Sequence, residues 1–230
     1  VVEKLSNSFK LVKYYNWLIF KIINPALEPL LKKYAHGRTA DIGCGEKPYK
    51  EILSHLVDEH IGIDHPNTIH NRSNIDIFSD AYKIDIPDES IDFILCTDVL
   101  EHLEEPKQAI AEAYRILKKG KYVIYTVPLF WHLHEEPRDF YRYTKYGMSY
   151  LFEQNGFKII EIISLSGFIV TFTQLFAYYL LRFRKGKYFN PLWWFIPPFV
   201  FIVQRIAYLL NKIDNSKMFT VEYIVVAHKP

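Results

Sequence analysis

The chain has 230 residues, 50% of them hydrophobic, and a formal net charge of +2, which is enough for one α/β domain with a sizeable core and a modest appendage but not for two ordinary domains. So mild a charge gives no sign of the concentrated basic face that phosphate recognition needs, and no nucleic-acid partner is expected. The two cysteines, Cys44 and Cys96, each sit in an apolar strand-like setting, which excludes a disulfide framework or zinc cluster and points to a reducing, cytoplasmic compartment.

In chain order, the opening Val1-Val2-Glu3-Lys4 lacks the basic-then-apolar order of a secretion signal. Phe9 to Tyr34 reads as one or two amphipathic helices, broken or bent around Pro25 and Pro29, with Lys10, Lys13, Lys21, Lys32 and Lys33 on the polar side. Strands follow at Thr39 to Ile42, Glu59 to Asp64, weakly around Asn74 to Phe78, at Ile91 to Thr97 and at Tyr122 to Val127, with helices at Tyr49 to Leu56 and Pro106 to Leu117 between them. In the latter helix Ile110, Ala113, Tyr114 and Leu117 share one face, Pro106 suits the first turn and Gly120 the exit. A polar and aromatic loop follows Pro128, then a helix from Thr144, a good N-cap, to Asn155, ended by Gly156. Phe157 to Leu165 and Thr220 to His228 read as the sixth and seventh strands.

Residues 166–218 interrupt the last two strands with a strongly apolar insertion. Leu165 to Leu181 and Leu192 to Leu210 approach bilayer scale, yet Thr171, Thr173 and Gln174 interrupt the first and Pro197, Pro198, Gln204 and Arg205 the second. Arg182-Phe183-Arg184-Lys185-Gly186-Lys187 lies between them, with Trp193 and Trp194 soon after, a pairing that lipid headgroups attract. The expectation is a monotopic or re-entrant hairpin, peripheral on the inner face of the cell membrane. The alternative is a helical lid or dimer surface. The organisation expected is a helical leader over 1–36, a cofactor-binding domain over 37–165 and 219–230, and the insertion over 166–218.

Strand, then Asp41-Ile42-Gly43-Cys44-Gly45, then helix lets backbone pass close to a nucleotide ligand, since glycines remove obstructing side chains and the helix start offers N–H groups. A nicotinamide-binding fingerprint would place a third glycine where Pro48 stands, which argues against a dehydrogenase. Asp64, ending the second strand, suits both ribose hydroxyls of such a ligand.

These residues resemble the class I S-adenosylmethionine-dependent methyltransferases, most closely the group that includes the ubiquinone and menaquinone biosynthetic enzymes. The likeness runs in register from about Thr39 to Val127. It takes in Asp41 to Gly45, Ser79-Asp80-Ala81 through Ile84, Pro87, Asp88, Ser90 and Asp92, Val99-Leu100-Glu101-His102-Leu103, Pro106, and Arg115 to Gly120. Asp85 and Lys121 depart from the pattern at two turns. The resemblance implies a doubly wound, seven-stranded Rossmann-like α/β sheet and S-adenosylmethionine as cofactor. Asp41, Gly43, Cys44 and Gly45 would surround its methionine part, Asp64 would hold its ribose, and Asp80 and Ala81 would meet its adenine, with Thr97 lining it from the fourth strand and His65 a further cofactor contact.

Methyl transfer from a sulfonium asks the protein mainly to position a nucleophile and exclude water, with a histidine as the natural base for an oxygen acceptor. Loops leaving the carboxyl ends of parallel strands face the ligand crevice. His134 is therefore the expected base, with His102, Asp139, Arg142 and Tyr143 as substrate contacts. An ordered loop in which Asp139 simply pairs with Arg142, and a capping role for Glu101-His102, are the alternatives. The pattern His134-x-x-Pro137-x-Asp139-Phe140-Tyr141-Arg142-Tyr143-Thr144 with Gly147 resembles a methyltransferase branch associated with cell-surface glycan biosynthesis. The site is expected to work without a metal. The spacing of Asp98, Glu101 and His102 on one helical face, with His134 as a fourth ligand, offers a metal-assisted variant. The acceptor expected is a small molecule, glycan or lipid-linked intermediate. The rival readings are a quinone-precursor methyltransferase and a non-catalytic, membrane-attached cofactor-binding protein.

Overall fold

The computed structural model describes residues 14–68, 71–184, 194–214 and 216–230. Its elements are α1 (Trp17–Tyr34), β1 (Arg38–Ile42), α2 (Lys50–Leu53), β2 (Glu59–Asp64), β3 (Ile77–Phe78), β4 (Ile91–Thr97), α3 (Pro106–Ile116), β5 (Leu117–Pro128), α4 (Lys145–Gln154), β6 (Lys158–Ser164), α5 (Phe168–Leu180), α6 (Ile196–Leu210) and β7 (Glu222–His228). The seven strands form one sheet in the order β3-β2-β1-β4-β5-β7-β6. β1 pairs parallel with β2 and with β4, β4 parallel with β5, and β5 antiparallel with β7. The doubly wound, Rossmann-like expectation is met, with the helical insertion between β6 and β7.

The strand order reverses between β1 and β4, so the crevice for a ligand opens at the carboxyl ends of these two strands and their neighbours. The chain folds this way because its central strands are covered on both faces and read as near-continuous apolar runs. Ile91, Phe93, Ile94, Leu95 and Cys96 of β4 and Val123, Ile124, Tyr125 and Val127 of β5 are all buried. From α3, Ala109, Ile110, Ala113 and Ile116 enter the same core. Pro106 opens that helix where its missing N–H costs nothing. Thr144 caps α4 by accepting from the Gly147 N–H.

Several sequence-derived boundaries change, among them the helix expected over Tyr49 to Leu56, which shortens to Lys50–Leu53, and the seventh strand, which begins at Glu222 rather than Thr220. One helix, α1, runs through both Pro25 and Pro29 without a break, while Phe9 to Lys13 lie outside the described residues. β3 shrinks to an edge pair of residues, Ile77 and Phe78. β5 begins early, at Leu117, because Leu117 pairs with Ile91 before an irregularity resets the register.

The chain divides into two compact units. One is built from the chain up to Ala26, Phe130–His132 and Ser164–Val221; the other from Leu27–Leu129, Leu133–Ile163 and Glu222–Pro230. Within the first unit, the polar residues that interrupt the apolar insertion turn inward. Gln174 and Gln204, both fully buried, each donate Nε2 to the carbonyl of Tyr15, at 2.9 and 2.7 Å. Buried Thr171 donates to the Phe219 carbonyl, and Asp214 accepts from the backbone N–H of Ile169 at the start of α5. Helices of 13 and 15 residues extend about 20–22 Å at about 1.5 Å per residue, short of the roughly 30 Å of a hydrocarbon core.

No helix among the described residues is long and apolar enough to cross a membrane. This overturns the membrane-surface partner expected for residues 166–218. The polar interruptions of that stretch belong instead to a packed helical unit, in which Tyr15, Ala177, Ile196 and Val200 form the core, while Phe172, Phe176, Phe199, Ile202 and Ile206 remain exposed. Lys185, Gly186, Lys187 and Trp193, part of the same expectation, lie outside the described residues.

Candidate active site

The glycine turn after β1 is held by its neighbours on both sides. Gly43 and Cys44 donate their N–H groups to the Ile63 carbonyl of β2, at 2.8 and 3.1 Å, and Gly45 donates to Asp64 Oδ2 at 2.9 Å. Both glycines take the left-handed conformation, with φ of 71° and 50°, which a side chain opposes. A Cβ on Gly43 would also lie 2.2 Å from Val99 Cγ2, so the turn abuts the loop leaving β4. Gly43→Ala is therefore expected to lower unfolding stability by about 1–3 kcal/mol; an unchanged Tm in scanning calorimetry contradicts this.

Asp64 ends β2 almost fully buried, with Oδ1 accepting from the His65 N–H at 2.6 Å. A carboxylate has about four lone-pair sites, so two backbone bonds leave acceptor capacity for a pair of ribose hydroxyls. Asp41, by contrast, keeps its carboxylate inside the sheet. It is 2% exposed and meets His60 Nε2 at 2.9 Å, and burial holds its pKa above the ordinary carboxylate value despite that partner. Burial, with Asp41 and Asp64 adding to it, pushes the Cys44 thiol up to about 12. Asp80 lies on the loop after β3, where Oδ1 accepts from the Tyr82 and Lys83 N–H groups; the Ser79 N–H donates to the Asp64 carbonyl, tying that loop to β2. Ala81 is buried and Thr97 half-buried at the end of β4.

Beyond Thr97 the chain turns sharply at Asp98, whose φ of 54° is left-handed, and Leu100–His102 form a single 3-10 turn. Asp98 thereby parts from Glu101 and His102. It accepts from Thr126 Oγ1 at 3.2 Å and shares a hydrogen bond with Glu222 of β7. Burial, and then the Asp98 charge, raises Glu222 well above the usual carboxylate range. Burial and Asp98 do the same to Glu101, which is 1% exposed and whose Oε2 has no hydrogen-bond partner.

The loop after β5 folds over this turn. The Phe140 and Tyr141 N–H groups donate to the Glu101 carbonyl, at 2.8 and 3.2 Å. Buried Tyr143 donates its hydroxyl to the Leu100 carbonyl at 2.9 Å. Arg142 grips Asp139 at two points, 2.6 and 2.9 Å, which holds the Asp139 carboxyl far below its ordinary range. Asp139 Oδ2 also accepts from the His134 N–H at 2.9 Å and lies 3.4 Å from His134 Nδ1. His134 and His102 meet edge to face, ring centroids 4.6 Å apart, and burial, then His102, lowers the His134 pKa. The Arg138 carbonyl bonds His102 Nδ1, while its guanidinium comes within 3.4 Å of His65 Nδ1 beside Asp64.

The structure thus brings Gly43, Gly45, Asp64 and His65 to one end of the crevice and His102, His134, Asp139, Arg142 and Tyr143 to a cover over β4. It turns Asp41 into the sheet and Asp80 onto its own loop. Asp139 and Tyr143 spend their polar atoms on this chain, as the ordered-loop alternative anticipates. Sequence reading did not single out Glu222 or Thr126, which come from two other strands and carry no local pattern. Glu101 appeared within a motif of the resemblance and as a capping or metal candidate.

Residues 40–125 match the family model described as a methyltransferase domain. The chain is 29% identical over 109 residues to an uncharacterized protein of Methanocaldococcus jannaschii, covering 47% of this chain and 52% of that one. It is 27% identical over 111 residues to a probable S-adenosylmethionine-dependent methyltransferase of Mycolicibacterium smegmatis, covering 44% and 43%. Each match spans about half the length of the curated relative. Among solved structures, a SAM-dependent methyltransferase of Thermotoga maritima, described as a possible histamine N-methyltransferase, superposes with a TM-score of 0.59 at 16% identity, covering 99% of this chain and 98% of that one.

Proposed function

We infer that this chain, a class I S-adenosylmethionine-dependent methyltransferase in fold, takes S-adenosylmethionine as its cofactor and methylates an oxygen of a small-molecule, glycan or lipid-linked acceptor. The cofactor supplies a methyl group on a positively charged sulfur, already poised for in-line displacement. Gly43 to Gly45 give backbone access to it, Asp64 receives the ribose, and the Asp80-Ala81 loop closes the adenine side. The acceptor lies beneath the loop after β5, where that loop excludes water and the His102 and His134 rings supply lone pairs to activate a hydroxyl.

The observation that carries this reading is that the loop after β5 joins the two halves of the crevice. Arg138 reaches His65 with its side chain and His102 with its carbonyl. The glycan class rests on the His134-to-Thr144 pattern, which resembles a methyltransferase branch associated with cell-surface glycan biosynthesis.

Incubating the purified chain with methyl-labelled S-adenosylmethionine and separated cell extracts tests it. Label is expected in a saccharide-bearing or lipid-linked fraction and to be released as a methyl ether. Label confined to amines contradicts the oxygen acceptor, label confined to a quinone precursor contradicts the glycan class, and no label in any fraction from chain that binds the cofactor contradicts catalysis.

A further inference from the structure

We propose that Glu101, His102 and His134 hold a divalent transition-metal ion that receives the acceptor hydroxyl and makes it acidic. This rests on the functional reading above and specifies how the acceptor is activated. One ligand atom from each of the three residues lies within 4.8 Å of the others. Ligands about 2.0–2.2 Å from one ion lie within roughly 4.4 Å of one another, so small side-chain rotations suffice to bring the three onto one ion.

His102 is set up as a ligand by the group that holds its other nitrogen, and His134 by the carboxylate that its other nitrogen faces. His102 Nδ1 faces the Arg138 carbonyl, and a carbonyl only accepts, so Nδ1 carries the proton and Nε2 keeps its lone pair. That Nε2 lies 3.9 Å from Glu101 Oε1. His134 turns Nδ1 to within 3.4 Å of Asp139 Oδ2, and Asp139 is fixed by Arg142. A carboxylate behind a histidine, orienting its ring toward a cation, is the usual outer support of a metal site.

Glu101 supplies the second, independent observation. It is 1% exposed, yet its Oε2 has no hydrogen-bond partner, and buried polar atoms are rarely left so without a bound group to meet them. Asp98, a ligand candidate by spacing alone, does not join the set, since it is committed to Thr126 and Glu222.

Two imidazoles and one carboxylate favour manganese, iron, cobalt or zinc over magnesium or calcium, which prefer all-oxygen shells. Three protein ligands leave coordination positions open for an oxygen of the acceptor. In the reaction the acceptor hydroxyl loses its proton to water and its oxygen bonds to the methyl carbon. The carbon–sulfur bond breaks with its electron pair going to sulfur, and S-adenosylhomocysteine leaves uncharged at sulfur.

The test uses the full chain stripped with a chelator, then titrated separately with Mn²⁺ and Co²⁺, with calorimetry and the visible spectrum of bound cobalt as readouts. One ion per chain is expected, with affinity lowered at least tenfold in Glu101→Gln and in His134→Ala, and about 10–100-fold in Asp139→Asn through loss of ring support. S-adenosylhomocysteine titrations on the same samples report whether each variant keeps its fold and cofactor site. Stoichiometric binding that all three variants retain at full strength overturns the site, as does a wild-type chain that binds S-adenosylhomocysteine but neither ion. The latter result leaves the methyltransferase reading standing, whereas failure to bind S-adenosylhomocysteine defeats that reading itself.

Discussion

His134→Ala is expected to lower the rate of methyl transfer about 10²–10⁴-fold, the range for losing a group positioned to activate the acceptor hydroxyl, with S-adenosylhomocysteine affinity unchanged within about twofold. The separation follows from position. His134 sits on the loop after β5 with its backbone and ring both tied to Asp139, whereas the cofactor contacts assigned here come from the loops after β1, β2 and β3. Burial and His102 hold His134 below the ordinary histidine pKa, so its lone pair is available at neutral pH. Single-turnover measurements on the labelled acceptor fraction provide the rate. A variant as fast as the wild type removes His134 from the chemistry, and a variant that also loses cofactor affinity shows the loop to be a scaffold for the cofactor rather than for the acceptor.

Asp64→Ala carries the second large effect, on affinity. The substitution removes the acceptor for the Gly45 and His65 N–H groups and, with it, the proposed ribose contact. Hydrogen bonds to a charged group contribute about 1.5–3 kcal/mol, which corresponds to roughly 10–150-fold weaker S-adenosylhomocysteine binding. Asp80→Ala is expected to do less, because Asp80 is exposed and Oδ1 already serves the Tyr82 and Lys83 N–H groups. Calorimetric titration of both variants gives the ratio. Equal losses, or a larger loss in the Asp80 variant, contradict the assignment of ribose binding to Asp64.

The parts of this fold most legible in sequence are those where burial and local chemistry agree. β2 and β4 end where their apolar runs meet Asp64 and Thr97, and the Thr144 cap and Gly156 exit frame α4. Proline misled at α1, where a buried apolar face of Leu18, Ile22, Leu27, Leu30 and Leu31 carries the helix through Pro25 and Pro29. Hydropathy misled in residues 166–218, because it shows neither that the two helices are too short to cross a membrane nor that their polar interruptions bond within this chain. The direction in which Gln174 and Gln204 point, toward Tyr15, is a tertiary fact.

The site divides in the same way. Gly43, Gly45 and Asp64 form a local motif whose backbone geometry is written in residue type. Glu101, Thr126 and Glu222 come from separate segments, and neither the shared hydrogen bond of Asp98 with Glu222 nor the unpartnered oxygen of Glu101 exists until the sheet assembles. Spacing placed Asp98 on a helical face with Glu101 and His102, but the left-handed residue at Asp98 and the single 3-10 turn after it separate them.

Titrating the unaltered purified chain with S-adenosylhomocysteine in a calorimeter puts the cofactor crevice itself on trial. One saturable site per chain is the result expected from a glycine turn and an Asp64 carboxylate held 2.9 Å apart at the ends of β1 and β2. Heats no different from dilution up to millimolar ligand, on folded protein, contradict it.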